Sequence, residues 1–194
     1  MSRTEIRITG FGGQGVVLSG YIIGRACSIH SNLHATMIQS FGPEARGSAC
    51  SATLTVQDSE VLYPYIGTPT ILVALTGEAY EKYREELSDD GIVIHEADLV
   101  TPNLTGNQRA FGCPSTRIAE SLGRIIVQNI VMLGFFTGVT QLISRKEMRE
   151  AVMASVPPGT EDLNLKAFDT GLKYYDEHYG DVKEEVKEVP VSTE

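Results

Sequence analysis

"IRITGFGGQG" occupies Ile6 to Gly15 of a 194-residue chain. The β-prone run "EIRIT" at 5–9 leads into four glycines within six residues. These are Gly10, Gly12, Gly13 and Gly15, with Gln14 set between the last two. Behind them, "VVLSGYIIGRACSI" at 16–29 spaces Val16, Val17, Tyr21, Ile22 and Ile23 as a helix does, with small Gly20 and Gly24 on a close-packing face. The stretch therefore reads as strand, glycine loop, helix. Gly10, Gly12 and Gly15 also satisfy the G-x-G-x-x-G spacing. Backbone without side chains lets a phosphate approach, and the N–H groups at the start of the following helix point at the anion. The competing reading is a tight turn whose glycines serve only close helix–sheet packing.

Two familiar ligands fail a specific test. A dinucleotide site wants Asp or Glu about 20 residues further on to hold the ribose hydroxyls, yet no acid occurs between Ile6 and Pro43. An ATP-type loop wants Lys-Ser or Lys-Thr after the glycines, and neither is present. A phosphate-bearing ligand held without a ribose grip fits, with Gln14 as a neutral donor. The charge pattern agrees. The whole chain carries −9, whereas residues 1–50 carry +2 from Arg3, Arg7, Arg25 and Arg46 against Glu5 and Glu44. The acidic whole excludes nucleic-acid binding by bulk electrostatics. The acid-free first quarter suits an anion.

A second loop, "SFGPEARGSA" at 40–49, follows the next strand-like run, "HATMI" at 34–38. Gly42-Pro43 makes a rigid turn, and Glu44, Arg46 and Gly47 follow. Arg46 suits a two-bond clamp on a phosphate or carboxylate; the alternative is an exposed loop with a local ion pair. Both loops follow strands, so both are expected at the carboxyl edge of one sheet, the usual ligand crevice of such folds.

The rest of the chain alternates. "CSATLTV" at 50–56, "TILVAL" at 70–75 and "IVIH" at 92–95 read as strands, the second of them buried on both faces. "GEAYEKYREEL" at 77–87 reads as a helix that buries Tyr80, Tyr83 and Leu87. A strand end near 110–113 leads to a helix capped by Ser115 or Thr116. An apolar helix covers 125–137, a helix capped by Ser144 follows, and a last amphipathic helix is entered through Pro157-Pro158. The expected fold is α/β: one Rossmann-like domain over 1–180 with a largely parallel sheet flanked by helices and the glycine loop after the first strand. The mostly charged tail 181–194 is expected to be disordered or docked on a partner.

Cys27, Cys50 and Cys113 form no C-x-x-C pair, and His30, His34, His95 and His178 show no ligand spacing, so no metal site is expected. Cys113, near a helix start, is a minor candidate for a reactive thiol. No signal peptide is visible, and "IIVQNIVMLGFF" at 125–136 is too short to span a bilayer. A cytoplasmic protein is expected.

Taken together, "ITGFGGQGVVLSG" at 8–20 and "QSFGPEARGSACSA" at 39–52, supported by "NIVMLGFFTG" at 129–138, resemble the gamma subunit of the 2-oxoacid:ferredoxin oxidoreductases. The similarity spans roughly residues 4 to 178. It implies a Rossmann-like subunit of an enzyme that decarboxylates a 2-oxoacid, transfers the acyl group to coenzyme A and reduces ferredoxin. It implies alpha and beta subunits, and in some assemblies a ferredoxin-like delta subunit. Thiamine pyrophosphate, Mg2+ and iron–sulfur clusters would sit mainly on those partners. The isolated chain would be inactive, with no catalytic residue of its own. By resemblance, Gly10, Gly12, Gly13, Gln14 and Gly15 form the first signature and Gly42, Pro43, Glu44, Arg46 and Gly47 the second, both bordering coenzyme A or a neighbouring subunit. Phe41 and Ser48 depart from the pattern, where relatives often carry Tyr and Gly. "GPEARG" resembles the 2-oxoglutarate type more than the pyruvate type. The alternatives are a branched-chain or aryl 2-oxoacid enzyme (2-oxoisovalerate, indolepyruvate or phenylglyoxylate) and a free-standing nucleotide-binding enzyme such as a dehydrogenase. A purely structural module, its glycines used for subunit packing, is the third reading.

Overall fold

A computed structural model describes residues 3–40 and 49–180. Six strands form one sheet: β1 (Thr4–Phe11), β2 (His34–Ser40), β3 (Ala49–Gln57), β4 (Ile71–Ala74), β5 (Ile92–Glu96) and β6 (Arg109–Cys113). The order is β2-β3-β1-β4-β5-β6. Parallel pairing joins β1 to β4, β4 to β5 and β5 to β6, while β3 runs antiparallel to both β1 and β2. Five strands thus point one way. The largely parallel sheet is present with one departure from a simple Rossmann order: β3 is inserted between the first two strands.

The patterning is compatible with this arrangement. β4 is "ILVA", buried at every residue, as a strand covered on both faces must be. β3 alternates instead. Cys50, Ala52, Leu54 and Val56 enter the main core, and Ser51, Thr53 and Thr55 take the opposite face. An antiparallel strand tolerates this one-sided polarity.

The described residues include six α-helices: α1 (Val16–Arg25), α2 (Gly77–Tyr83), α3 (Ser115–Ser121), α4 (Gln128–Thr140), α5 (Arg145–Met153) and α6 (Glu161–Tyr179). On one face Ile6, Ile8, Leu54 and Val73 meet Ile22 and Ile23 of α1, Phe135 of α4 and Phe168 of α6. On the other, Leu72 and Val93 meet Tyr80 and Tyr83 of α2, with Leu87 closing the cluster. Full burial of each such side chain contributes about 2 kcal/mol.

Some expectations shift. The first helix ends at Arg25 and continues as a π turn, Ala26–His30. The last helix begins at Glu161, three residues beyond the proline pair. The apolar stretch at 125 opens with a 3-10 turn that leaves Ile125 and Ile126 exposed, and only from Gln128 does it run as a buried α-helix. Ser144 caps α5 as expected, in a capping box: the Glu147 N–H donates to its Oγ at 3.2 Å and its own N–H donates to Glu147 Oε2 at 3.0 Å. Neither Ser115 nor Thr116 caps α3. Pro114 holds the N-cap position, and the cap comes from Glu96 at the end of β5. No described helix is long and apolar enough to cross a membrane.

Candidate functional site

The chain leaves β1 through α1 toward β2 in one direction along the sheet and leaves β4 through α2 toward β5 in the other. The carboxyl ends of β1 and β4 therefore meet where the connections diverge, the position at which open α/β sheets form a ligand crevice. The glycine loop lies there. The Leu75 N–H donates to Thr9 O at 2.9 Å and ties the two strand ends together.

The five loop residues divide into two kinds. Gly10, Gln14 and Gly15 build the loop. A Cβ on Gly10 would stand 2.7 Å from Gln14 Oε1 and 3.1 Å from Leu75 Cβ. Gln14 folds back on the loop: its Oε1 accepts the Phe11 N–H at 2.7 Å, and its own N–H donates to Phe11 O at 3.2 Å. Gly15 caps α1 at φ 75°, and a Cβ there would lie 2.5 Å from Asn129 Cγ. Gly10 and Gly15 are held by close contacts, and Gln14 by two hydrogen bonds within the loop. Gly12 and Gly13 are different, because both are exposed. At Gly13, φ is 97° and a Cβ would meet nothing within 4 Å.

Gly12 and Gly13 thus present bare backbone beside the start of α1. Helix geometry leaves the N–H groups of Val16, Val17 and Leu18 without an intrahelical acceptor. The residues present therefore fit a phosphate-bearing group such as that of coenzyme A.

Gly42, Pro43, Glu44, Arg46 and Gly47 lie outside the described residues. Their described flanks sit at the same edge of the sheet. In the strand register Phe11 stands opposite Ala49, Gly10 opposite Cys50 and Ser40 opposite Ser51.

The sequence did not signal a polar chain along this edge. Glu96, 1% exposed at the end of β5, accepts the Ser115 hydroxyl and the Thr116 N–H, the latter at 3.0 Å. The Thr116 hydroxyl lies 3.1 Å from Glu96 Oε2 and 3.0 Å from the Gln128 side-chain amide at the start of α4. Next along α4, Asn129 donates from Nδ2 to Gly15 O at 3.5 Å.

Among the described residues no group of three or more His, Cys, Asp or Glu side chains is placed to hold a metal. Burial pushes the Cys27 thiol up to about 12 and raises Cys113 as well, with the Glu96 charge adding to the shift. Only the thiolate is nucleophilic, so Cys113 is not a reactive thiol. Burial lowers the pKa of His95.

Residues 5–174 match the family model described as pyruvate ferredoxin/flavodoxin oxidoreductase. The chain belongs to this family. A relative within it, the 2-oxoglutarate synthase subunit KorC of Methanocaldococcus jannaschii, is 42% identical over 174 residues, 88% of this chain and 93% of that protein. The gamma subunit of a keto/oxoacid ferredoxin oxidoreductase from Geobacter sulfurreducens has a similar structure. Its TM-score is 0.77 at 37% identity, over 88% of this chain and 96% of that one. The same fold occurs in a 2-oxoglutarate:ferredoxin oxidoreductase from Magnetococcus marinus, solved with 2-oxoglutarate, coenzyme A and succinyl-CoA bound. There the TM-score is 0.79 at 22% identity, over 89% of this chain and 31% of that one.

Proposed function

We propose that this chain is the gamma subunit of a 2-oxoglutarate:ferredoxin oxidoreductase and that its glycine loop forms part of the wall facing coenzyme A. The observation that carries the reading is the 42% identity to a 2-oxoglutarate synthase subunit along nearly the full length of both chains. In the reaction the bond between the carboxyl and keto carbons of the 2-oxoacid breaks and carbon dioxide leaves. The acyl carbon joins the coenzyme A sulfur, the thiol proton is released, and two electrons pass to ferredoxin.

Thiamine pyrophosphate with Mg2+ and iron–sulfur clusters supply the carbon–carbon cleavage and the electron transfer. In keeping with the family resemblance we assign them mainly to alpha and beta partners and, where present, a ferredoxin-like delta subunit. This chain's own part is binding. Gly12 and Gly13 admit the phosphates, and the start of α1 turns N–H groups toward them. We give Arg46 the same role from its place in the "GPEARG" motif at 42–47. We assign the complex to the cytoplasm, where its three cysteines would stay reduced.

Anoxic purification of the tagged chain from its own host tests this reading, followed by a 2-oxoacid panel with ferredoxin as acceptor. The expected result is co-purification of a thiamine-binding chain and an iron–sulfur chain, with coenzyme A-dependent activity greatest on 2-oxoglutarate. Greater activity on 2-oxoisovalerate, indolepyruvate or phenylglyoxylate would move the assignment to that substrate. A lone monomer or homodimer that binds NAD would overturn it.

A further inference from the structure

Asn129 is 3% exposed, and its neighbours include Ile8, Val73, Leu75 and Phe136 around a cavity of about 10 Å³. A leucine would suit these surroundings better, because burying an amide costs free energy unless its hydrogen bonds repay it. The side chain lies against Gly15, 114 residues away, and donates to the Gly15 carbonyl at 3.5 Å. That carbonyl also accepts the Ser19 N–H at 2.8 Å and the Ser19 hydroxyl at 3.0 Å. Three donors therefore fix one peptide plane. In a trans peptide the C=O and the following N–H point opposite ways. The Gly15 carbonyl points along α1 toward Ser19, so the Val16 N–H points the other way, out of the N-terminal end of the helix that the glycine loop precedes.

We infer that Asn129 is a positioning residue for the anion-facing end of the glycine loop. Its helix is itself held in place. Gln128 bonds the Thr116 hydroxyl, and Thr116 and Ser115 bond buried Glu96, so the ends of β5, α3 and α4 are linked to Gly15. One hydroxyl proton cannot serve both neighbours of Thr116. When Glu96 takes it, the Gln128 amide turns its NH2 toward the hydroxyl oxygen. The inference rests on the reading that the loop meets coenzyme A.

The test uses the whole complex carrying Asn129→Leu, Thr116→Val or Gly13→Ala. Asn129→Leu keeps the branching at Cγ and suits the apolar surroundings but adds volume, so Thr116→Val is carried beside it in case assembly suffers. With Asn129→Leu the KM for coenzyme A should rise about fivefold, the effect of one net hydrogen bond, with the KM for the 2-oxoacid and kcat at saturating coenzyme A unchanged. Thr116→Val, one link further away, should raise the same KM by a smaller factor. If Asn129→Leu leaves the coenzyme A KM unchanged while Gly13→Ala raises it, the positioning role is wrong and the loop reading stands. If Gly13→Ala also leaves it unchanged, the loop reading falls and the inference falls with it. If Asn129→Leu fails to assemble, Thr116→Val decides: a raised coenzyme A KM supports the linked network, and an unchanged one overturns it.

Discussion

Glycines do opposite work at two places in this molecule. Where α4 crosses α6 they are filled by protein. A Cβ on Gly134 would stand 2.0 Å from Phe168 O, and one on Gly171 would stand 1.9 Å from Val131 O. The two helix backbones touch there, and no larger residue fits. At the outer turn of the glycine loop, a Cβ on Gly13 would meet nothing. Glycine there serves the backbone angle and the bare surface rather than packing. The motif by itself does not distinguish these uses; the surroundings of the missing Cβ do. By that criterion Gly10 and Gly15 side with the helix crossing and Gly13 does not; Gly12 is exposed beside Gly13.

Alanine substitutions break or sharpen this contrast. The largest effect is expected from Gly171→Ala. Its methyl meets a backbone carbonyl that cannot turn aside without moving α4, so the cost should exceed about 3 kcal/mol. Little folded subunit should enter the complex, measured by thermal unfolding and by yield after affinity purification. Gly138→Ala comes next. Its methyl would lie 2.4 Å from the Tyr175 ring, a side chain that can shift, so the loss should be about 2 kcal/mol. Gly13→Ala should cost only the backbone penalty, about 1–2 kcal/mol, and leave assembly intact. A reversal of this order, with Gly13→Ala the most destabilising, would mean that the open turn is packed against a partner chain rather than a small ligand.

Much of the fold was legible because local patterns carried it. "EIRIT" and "TILVAL" declared their strands, the spacing of Tyr80 and Tyr83 declared a buried helix face, and Ser144 declared a capped helix start; Leu87, expected on the same helix, lies beyond it, because the helix ends at Tyr83 and gives way to a 3-10 turn. The insertion of β3 was not legible. Its alternation shows one polar face but not which strands it joins, and pairing is a long-range choice. The cap on α3 was missed for the same reason, since its carboxylate comes from Glu96, twenty residues upstream of the Thr116 N–H it accepts. Ile125 and Ile126 were misjudged because a 3-10 turn breaks the helical period.

At the site, the sequence marked the glycine loop but gave no sign that Gln14 would be spent on Phe11. Nor did it signal Asn129: within an apolar stretch, one amide looks like an interruption. Only the fold reveals that it lies against Gly15. The spacing of a glycine motif thus mixes residues that shape a loop with residues that expose it, and sequence spacing alone treats them alike.

The most direct measurement is the coenzyme A KM of the assembled, anoxically purified complex with and without Gly13→Ala, at saturating 2-oxoglutarate and ferredoxin. A methyl projecting from the open turn should raise that KM about tenfold, equivalent to about 1.4 kcal/mol, while the KM for 2-oxoglutarate stays the same. An unchanged coenzyme A KM in a complex of normal composition would contradict the account and leave the glycine loop as a packing element alone.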